Sequence, residues 1–201
     1  MRGWWRELAD LVLSADCAGC GLPRTGLCSG CGQLLRGAVA RRVWPRTVPR
    51  GLPPVYAALT YADEARAALL AHKERGALRL AAPLGSVLAG SVRAAADAAG
   101  PAACGGPLLL VPVPSARRAV AARGHDPVRR IALAAAGELR RCGRPARVLA
   151  ALRQVRSVAD QAELTARQRS VNLSGALGTA AGSGRLLEGG PVVVVDDLVT
   201  T

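Results

Sequence analysis

The chain has 201 residues, half of them hydrophobic, with 2% aromatics and no Phe; this excludes a disordered chain and allows one sizeable core, alone or with a small satellite module. The net charge is +13, which admits a nucleic-acid or phosphate partner. Lys73 is the only lysine, however, and the wealth of Ala, Arg, Gly and Pro is also that of a GC-rich coding sequence; no basic block is long enough for a nucleic-acid tail.

From the start, MRGWWRELADLVLSADC brings Trp4, Trp5, Leu8, Leu11 and Val12 to one face of a short amphipathic helix. Glu7 and Asp10 interrupt its apolar run, unlike a secretory signal. Elsewhere Arg, Pro or Gly break every apolar run well below the ~18 residues of a membrane span. A cytoplasmic location is expected, where disulfides are disfavoured.

Four of the six cysteines follow, as Cys17-Ala-Gly-Cys20 and Cys28-Ser-Gly-Cys31. Two C-x-x-C knuckles supply four thiolates in a tetrahedron, a donor set that suits Zn2+. Gly19, Gly21, Gly30 and Gly32 let the backbone curl its N–H groups toward the sulfurs. The short spacer, with Pro23 and Gly26, fits a compact zinc ribbon or a pair of facing knuckles. Two disulfides suit a reducing compartment poorly. A redox C-x-x-C is the other alternative, but no βαβ pattern surrounds either pair. Four thiolates leave no open position on the ion, so its expected role is structural. Cys104 and Cys142 stand alone and read as buried or idle thiols. Helix and ribbon together occupy residues 1–40.

Residues 41–54, RRVWPRTVPRGLPP, have no period and read as an extended linker. A second domain covers 55–201. In it VYAALTY, from Val55 to Tyr61, reads as a strand; Asp63 caps the helix ARAALLAHK; APLGSVLAGSVRAAADAA is a second helix, stopped by Gly100 and Pro101. PLLLVPVP, from Pro107 to Pro114, holds a short apolar strand. Asp126 caps a helix with Pro127 at its first position, which Gly143 and Pro145 end. RVLAAL, from Arg147 to Leu152, is a strand. A polar stretch, the helix-like TARQRSVNL and a Gly-rich turn then lead to VVVV, Val192 to Val195. Strands alternating with helices predict an α/β fold, a parallel sheet with helices on both faces. His72 and His125 have no carboxylate orienter in sequence and read as packing or surface residues.

Four valines in a row suit a central parallel strand buried on both faces. Ligands of open α/β sheets sit at the carboxyl ends of strands, and Asp196 and Asp197 occupy that position. Acids there can accept from hydroxyls, and a Thr-rich loop after them can offer backbone N–H groups to a phosphate. A sugar phosphate satisfies both. A polar strand cap is the plainer alternative.

VVVVDDLVTT resembles the first part of the phosphoribosyl pyrophosphate (PRPP) motif of type I phosphoribosyltransferases. The cysteine ribbon, YADEARAALLAHKERG, VPVPSARRAVAARGHDP and QAELTARQRSVN, in this order along the chain, narrow the resemblance to the ComF family of competence-associated, phosphoribosyltransferase-like proteins, over nearly the whole chain. The resemblance implies that Asp196 and Asp197 hold the ribose hydroxyls and that Thr200 and Thr201 belong to the phosphate loop. It places Arg117, Arg118 and Arg123 near the pyrophosphate, where a planar guanidinium fork suits phosphate oxygens. Gln161, Arg169 and Asn172 fall in a flexible hood that would close over substrate, with Arg169 its cation. His125-Asp126-Pro127 departs from the family's more usual aromatic, Asn and Gln.

The implied reaction is displacement of pyrophosphate from the anomeric carbon of PRPP, with Mg2+ on the pyrophosphate. The implied setting is DNA uptake in natural competence. A non-catalytic role is the rival: single-stranded DNA binding through the ribbon and the positive charge, or a scaffold for competence proteins. Few aromatics are available for base stacking. The chain ends before the Gly-x-Thr that the resemblance leads one to expect, so a further loop and covering helix are expected for activity.

Overall fold

The computed structural model describes residues 16–45, 48–103, 105–156 and 175–199. In chain order, α1 (Ser29–Arg36) opens at the second cysteine pair, followed by β1 (Arg41–Val43) and β2 (Val55–Ala57). Helices α2 (Asp63–Glu74) and α3 (Ala81–Ala99) lead to β3 (Leu108–Pro112), α4 (Arg117–Arg123), α5 (Pro127–Arg141) and β4 (Ala146–Val148). Then come β5 (Leu152–Gln154), β6 (Leu177–Thr179), α6 (Ser183–Leu187) and β7 (Val192–Val195). The N-terminal helix expected from Trp4 to Val12, Arg46, Cys104, the segment from Gln161 to Asn172 with Arg169, and Thr200 and Thr201 lie outside the described residues.

The fold is mixed α/β, with a three-stranded parallel sheet in the order β4-β3-β7. LLLVP makes β3 apolar and buried at every position, as a central strand requires. On one face Leu108, Leu110, Ala146 and Val195 pack against Ala132, Ala135 and Leu139 of α5 and Ala89 and Val92 of α3. Each fully buried Leu there contributes roughly 1.5–3 kcal/mol.

Helix α5 forms where its sequence signals predict. The Asp126 carboxylate accepts from the N–H of Arg129 at 3.1 Å, and Pro127 takes the first position. Val128, Ile131, Ala132, Ala135 and Leu139 then recur at helical spacing and are buried. Helix α3 crosses α5 so closely that a Cβ on Gly85 would lie 2.5 Å from that of Ala134. Glycine is needed at that crossing.

Several expectations are corrected. The valine run is at one edge of the described sheet, not its centre. Its exposure alternates, with Val192 46% and Val194 58% exposed, because they lie on the face opposite to α5. VYAALTY is a strand only over Val55–Ala57, and that strand lies outside the parallel sheet. It pairs antiparallel with β1, inside the stretch expected to be linker. Asp63 is the first residue of α2 rather than its cap; the cap position is Ala62, and the acid acts from the first turn. RVLAAL splits into β4 and the start of β5, which pairs antiparallel with β6.

The cysteine segment is not held apart from the rest by a linker. Leu35 of α1 is buried in one cluster with Ala68 and Ala71 of α2, Leu80, Leu84 of α3 and Ile131 of α5, flanked by Ala18 and Leu27. An amphipathic α1 with Leu35 on its inner face must bury that face somewhere, and the α2–α3 surface provides the place.

Candidate functional site

The carboxyl ends of β3 and β7 lie side by side. Pro112 is in register with Val195, and the N–H of Val113 donates to the carbonyl of Val195 at 2.9 Å. Asp196 and Asp197 therefore leave the sheet next to the turn that leads from β3 into α4.

The two acids have different surroundings. Asp197 accepts from Lys73 Nζ through Oδ2 at 2.7 Å, and its side chain is only 6% exposed. Asp196 is exposed, and its Oδ1 accepts from the N–H of Asp197 at 2.8 Å. Partial desolvation of its carboxyl and the charge of Asp197 push Asp196 up to about 7, against the lowering effects of that N–H and of Lys73. Its contact with water screens the shift; the upward direction is the chemical point. The pair thus offers one carboxylate committed to an internal cation and one that can change charge near neutrality. A cavity of about 190 Å3 opens beside them, lined by Leu59, Tyr61, Leu84, Ile131 and Leu198 among others.

Lys73 arrives from the last turn of α2, and its neighbours there are also engaged. Glu74 receives a two-pronged contact from Arg123 at the end of α4, with Nε and Nη2 each at 2.8 Å. The carbonyl of His72 accepts from His125 Nε2 at 3.1 Å. The His72 ring is fully buried, and burial lowers its basicity. Both histidines serve to dock α2 on the α4–α5 turn.

Arg123 is therefore engaged by Glu74 in a partly exposed ion pair, while Arg117 and Arg118 are exposed on the first turn of α4. Arg169, Gln161, Asn172, Thr200 and Thr201 lie outside the described residues. The role of Lys73 was not apparent from sequence, because its partner is 124 positions away. Its being the only lysine in so Arg-rich a chain was the available signal.

At the other end, the sulfurs of Cys17, Cys20, Cys28 and Cys31 all lie within 4.8 Å of one another. Four sulfurs on a tetrahedral Zn2+ at about 2.3 Å stand about 3.8 Å apart, so the set fits one such ion. The first pair curls through a turn that ends at Gly21, with φ of 77°. The second pair is a helix start: Cys28 is the cap of α1 and its sulfur accepts from the N–H of Cys31 at 3.4 Å. Gly30 and Gly32 are thus helical rather than turn residues. The N–H of Cys28 donates to Cys17 Sγ at 3.2 Å. Burial disfavours the Cys17 thiolate, but N–H groups of Cys28, Cys20 and Gly19 outweigh it and lower the thiol to about 6. Burial and hydrogen bonding to Cys28 push Cys31 upward. Gly19 is required sterically, since a Cβ there would lie 2.6 Å from Cys31 Sγ. Cys142, outside this cluster, is exposed on the α5 cap, 3.7 Å from Glu138.

No described helix is long and apolar enough to cross a membrane. Comparison with protein families, with curated proteins and with solved structures finds no match for this chain.

Proposed function

We propose that this chain is a ComF-like protein of the type I phosphoribosyltransferase kind, binding PRPP or a related sugar phosphate at the end of β7. The carrying observation is the acid pair at the carboxyl end of a parallel strand, beside the β3 turn and a cavity. The antiparallel β5–β6 pair is formed by the stretches that precede and follow, in the chain, the segment of Gln161, Arg169 and Asn172.

In this reading the sugar hydroxyls are received at the acid pair, and the backbone at Thr200 and Thr201 begins the cradle for the 5-phosphate. Arg117 and Arg118 supply positive charge beyond β3, and Arg123 joins them by exchanging Glu74 for phosphate oxygens. The reaction breaks the bond between the anomeric carbon and pyrophosphate and forms one from that carbon to a nucleophile. The residues position the donor and stabilise the departing charge. Mg2+ would accompany the pyrophosphate oxygens; no described residue is assigned to it. The cysteine cluster carries a structural zinc ion, and the setting is competence-associated DNA uptake in the cytoplasm.

The test is calorimetric titration of the full chain with PRPP and Mg2+, alongside a pyrophosphate-release assay with and without single-stranded DNA. Binding that is lost in an Asp196→Asn/Asp197→Asn double variant supports the reading. Absence of binding by the wild type rejects it.

One observation favours the DNA-binding alternative. Trp44 is 62% exposed with the Arg42 guanidinium 4.1 Å above its ring, a platform on which a base can stack. Affinity for single-stranded DNA that falls with salt and with Trp44→Ala would support it.

A further inference from the structure

Three consecutive residues at the end of α2 each hold a different part of the strand-end surface. His72 takes His125 through its carbonyl, Lys73 takes Asp197, and Glu74 takes Arg123. Two of the three contacts pair opposite charges, Lys73 with Asp197 and Glu74 with Arg123.

The match is uneven for the two acids. Asp197 is almost fully enclosed, and its carboxylate needs a partner to be there at all. Lys73 is that partner, yet its side chain is 32% exposed. An ammonium carries three donors, and the described contacts use one. Through Asp197 that ammonium lies next to the carboxyl end of β7, and a ligand of an open parallel sheet sits at such strand ends. Asp196 is exposed, and among the described residues its carboxylate accepts from the neighbouring N–H of Asp197.

We propose that Lys73 is a phosphate-binding cation of the strand-end site, held in position by Asp197, and that Asp196 alone of the two acids receives sugar hydroxyls. The proposal rests on the sugar-phosphate reading above and divides the labour of the acid pair differently from the family resemblance. The ligand class is a sugar bearing a phosphate or pyrophosphate. Lys73 reaches its oxygens while keeping Asp197, and Asp197 acts only by positioning the ammonium.

The test uses the full chain with Mg2+, titrated with PRPP and separately with inorganic pyrophosphate. Lys73→Gln should weaken both about tenfold or more, the usual loss for a hydrogen bond to a charged group. Lys73→Arg, which keeps the charge, should retain both within about fivefold. Asp196→Asn should weaken PRPP and leave pyrophosphate unchanged, whereas Asp197→Asn should keep PRPP within about threefold. Lys73→Gln orphans the enclosed Asp197, so the double variant Lys73→Gln/Asp197→Asn separates binding from folding. It should melt nearer to wild type and still bind pyrophosphate weakly. Wild-type pyrophosphate affinity in the double variant, or loss of PRPP by Asp197→Asn as large as by Asp196→Asn, overturns the assignment. Lys73-dependent binding of pyrophosphate without any binding of PRPP sinks the sugar-phosphate reading and leaves Lys73 as an anion site. Binding of neither ligand sinks both.

Discussion

Leu35 of α1 and Ile131 of α5 are buried in one hydrophobic cluster, although a Pro- and Arg-rich stretch separates their elements in the chain. The cysteine segment and the α/β segment therefore share core. Leu35 is 3% exposed, so Leu35→Ala should cost about 2–5 kcal/mol. The cost should appear as a shift of the whole denaturant transition, since the cavity opens against α2, α3 and α5 together. Two separate transitions, with only the weaker one shifted, would mean that the segments fold independently.

The same coupling sets the consequence of metal removal. The reduced protein should carry about one zinc, and a Cys20→Ser variant should lose it. Because Leu35 ties α1 to the helices, a chelator should lower the melting temperature of the whole chain rather than loosen its first residues alone. Gly19→Ala should act more gently and in the same direction, because its Cβ would crowd Cys31 Sγ. Metal analysis and melting with and without chelator measure both. Zinc content unchanged in Cys20→Ser would remove that residue from the ligand set.

Much of this was legible in the sequence where the cause is local. The Asp126-Pro127 helix start, the stop at Gly143 and the buried LLLVP strand follow from side chains acting on their own backbone. The four cysteines declared themselves by spacing. What was not legible depends on distant partners. β1 forms because Arg41–Val43 meets Val55–Ala57, and nothing in an Arg- and Pro-rich run announces that pairing. The valine run reads as a central strand, yet its place in the sheet is fixed by which strands lie beside it. In the candidate site the acids were visible and their inequality was not, because Lys73 decides it from 124 positions away.

Glu74 is 44% exposed at its side chain, so its pair with Arg123 should add little stability. Glu74→Gln should cost less than about 1 kcal/mol. It should also free the Arg123 guanidinium, which Glu74 otherwise competes for. If Arg123 contributes to pyrophosphate binding, that affinity should rise in Glu74→Gln and fall in Arg123→Gln. Equal affinity in wild type and both variants would confine Arg123 to docking α4 on α2.

Asp196 gives the fold a pH dependence of definite sign. Its carboxyl is raised from 3.8 to about 7 in the folded chain, first by desolvation and then by the Asp197 charge. The folded state therefore holds this proton more tightly than the unfolded state does. The stability so gained is full below pH 3.8 and is lost as the pH rises through about 7. Asp196→Asn removes the titrating group and keeps an acceptor for the Asp197 N–H. Both proteins share the cysteines, so effects of acid on the metal cancel in the comparison. The denaturation midpoint of the wild type should fall relative to that of Asp196→Asn between about pH 4 and pH 7. The decline should be modest, since the carboxyl is in contact with water. It should steepen in an Asp196-containing Lys73→Gln variant, where the lowering effect of the ammonium is gone. A difference between wild type and Asp196→Asn that stays flat across that window would show that Asp196 titrates as an ordinary surface acid.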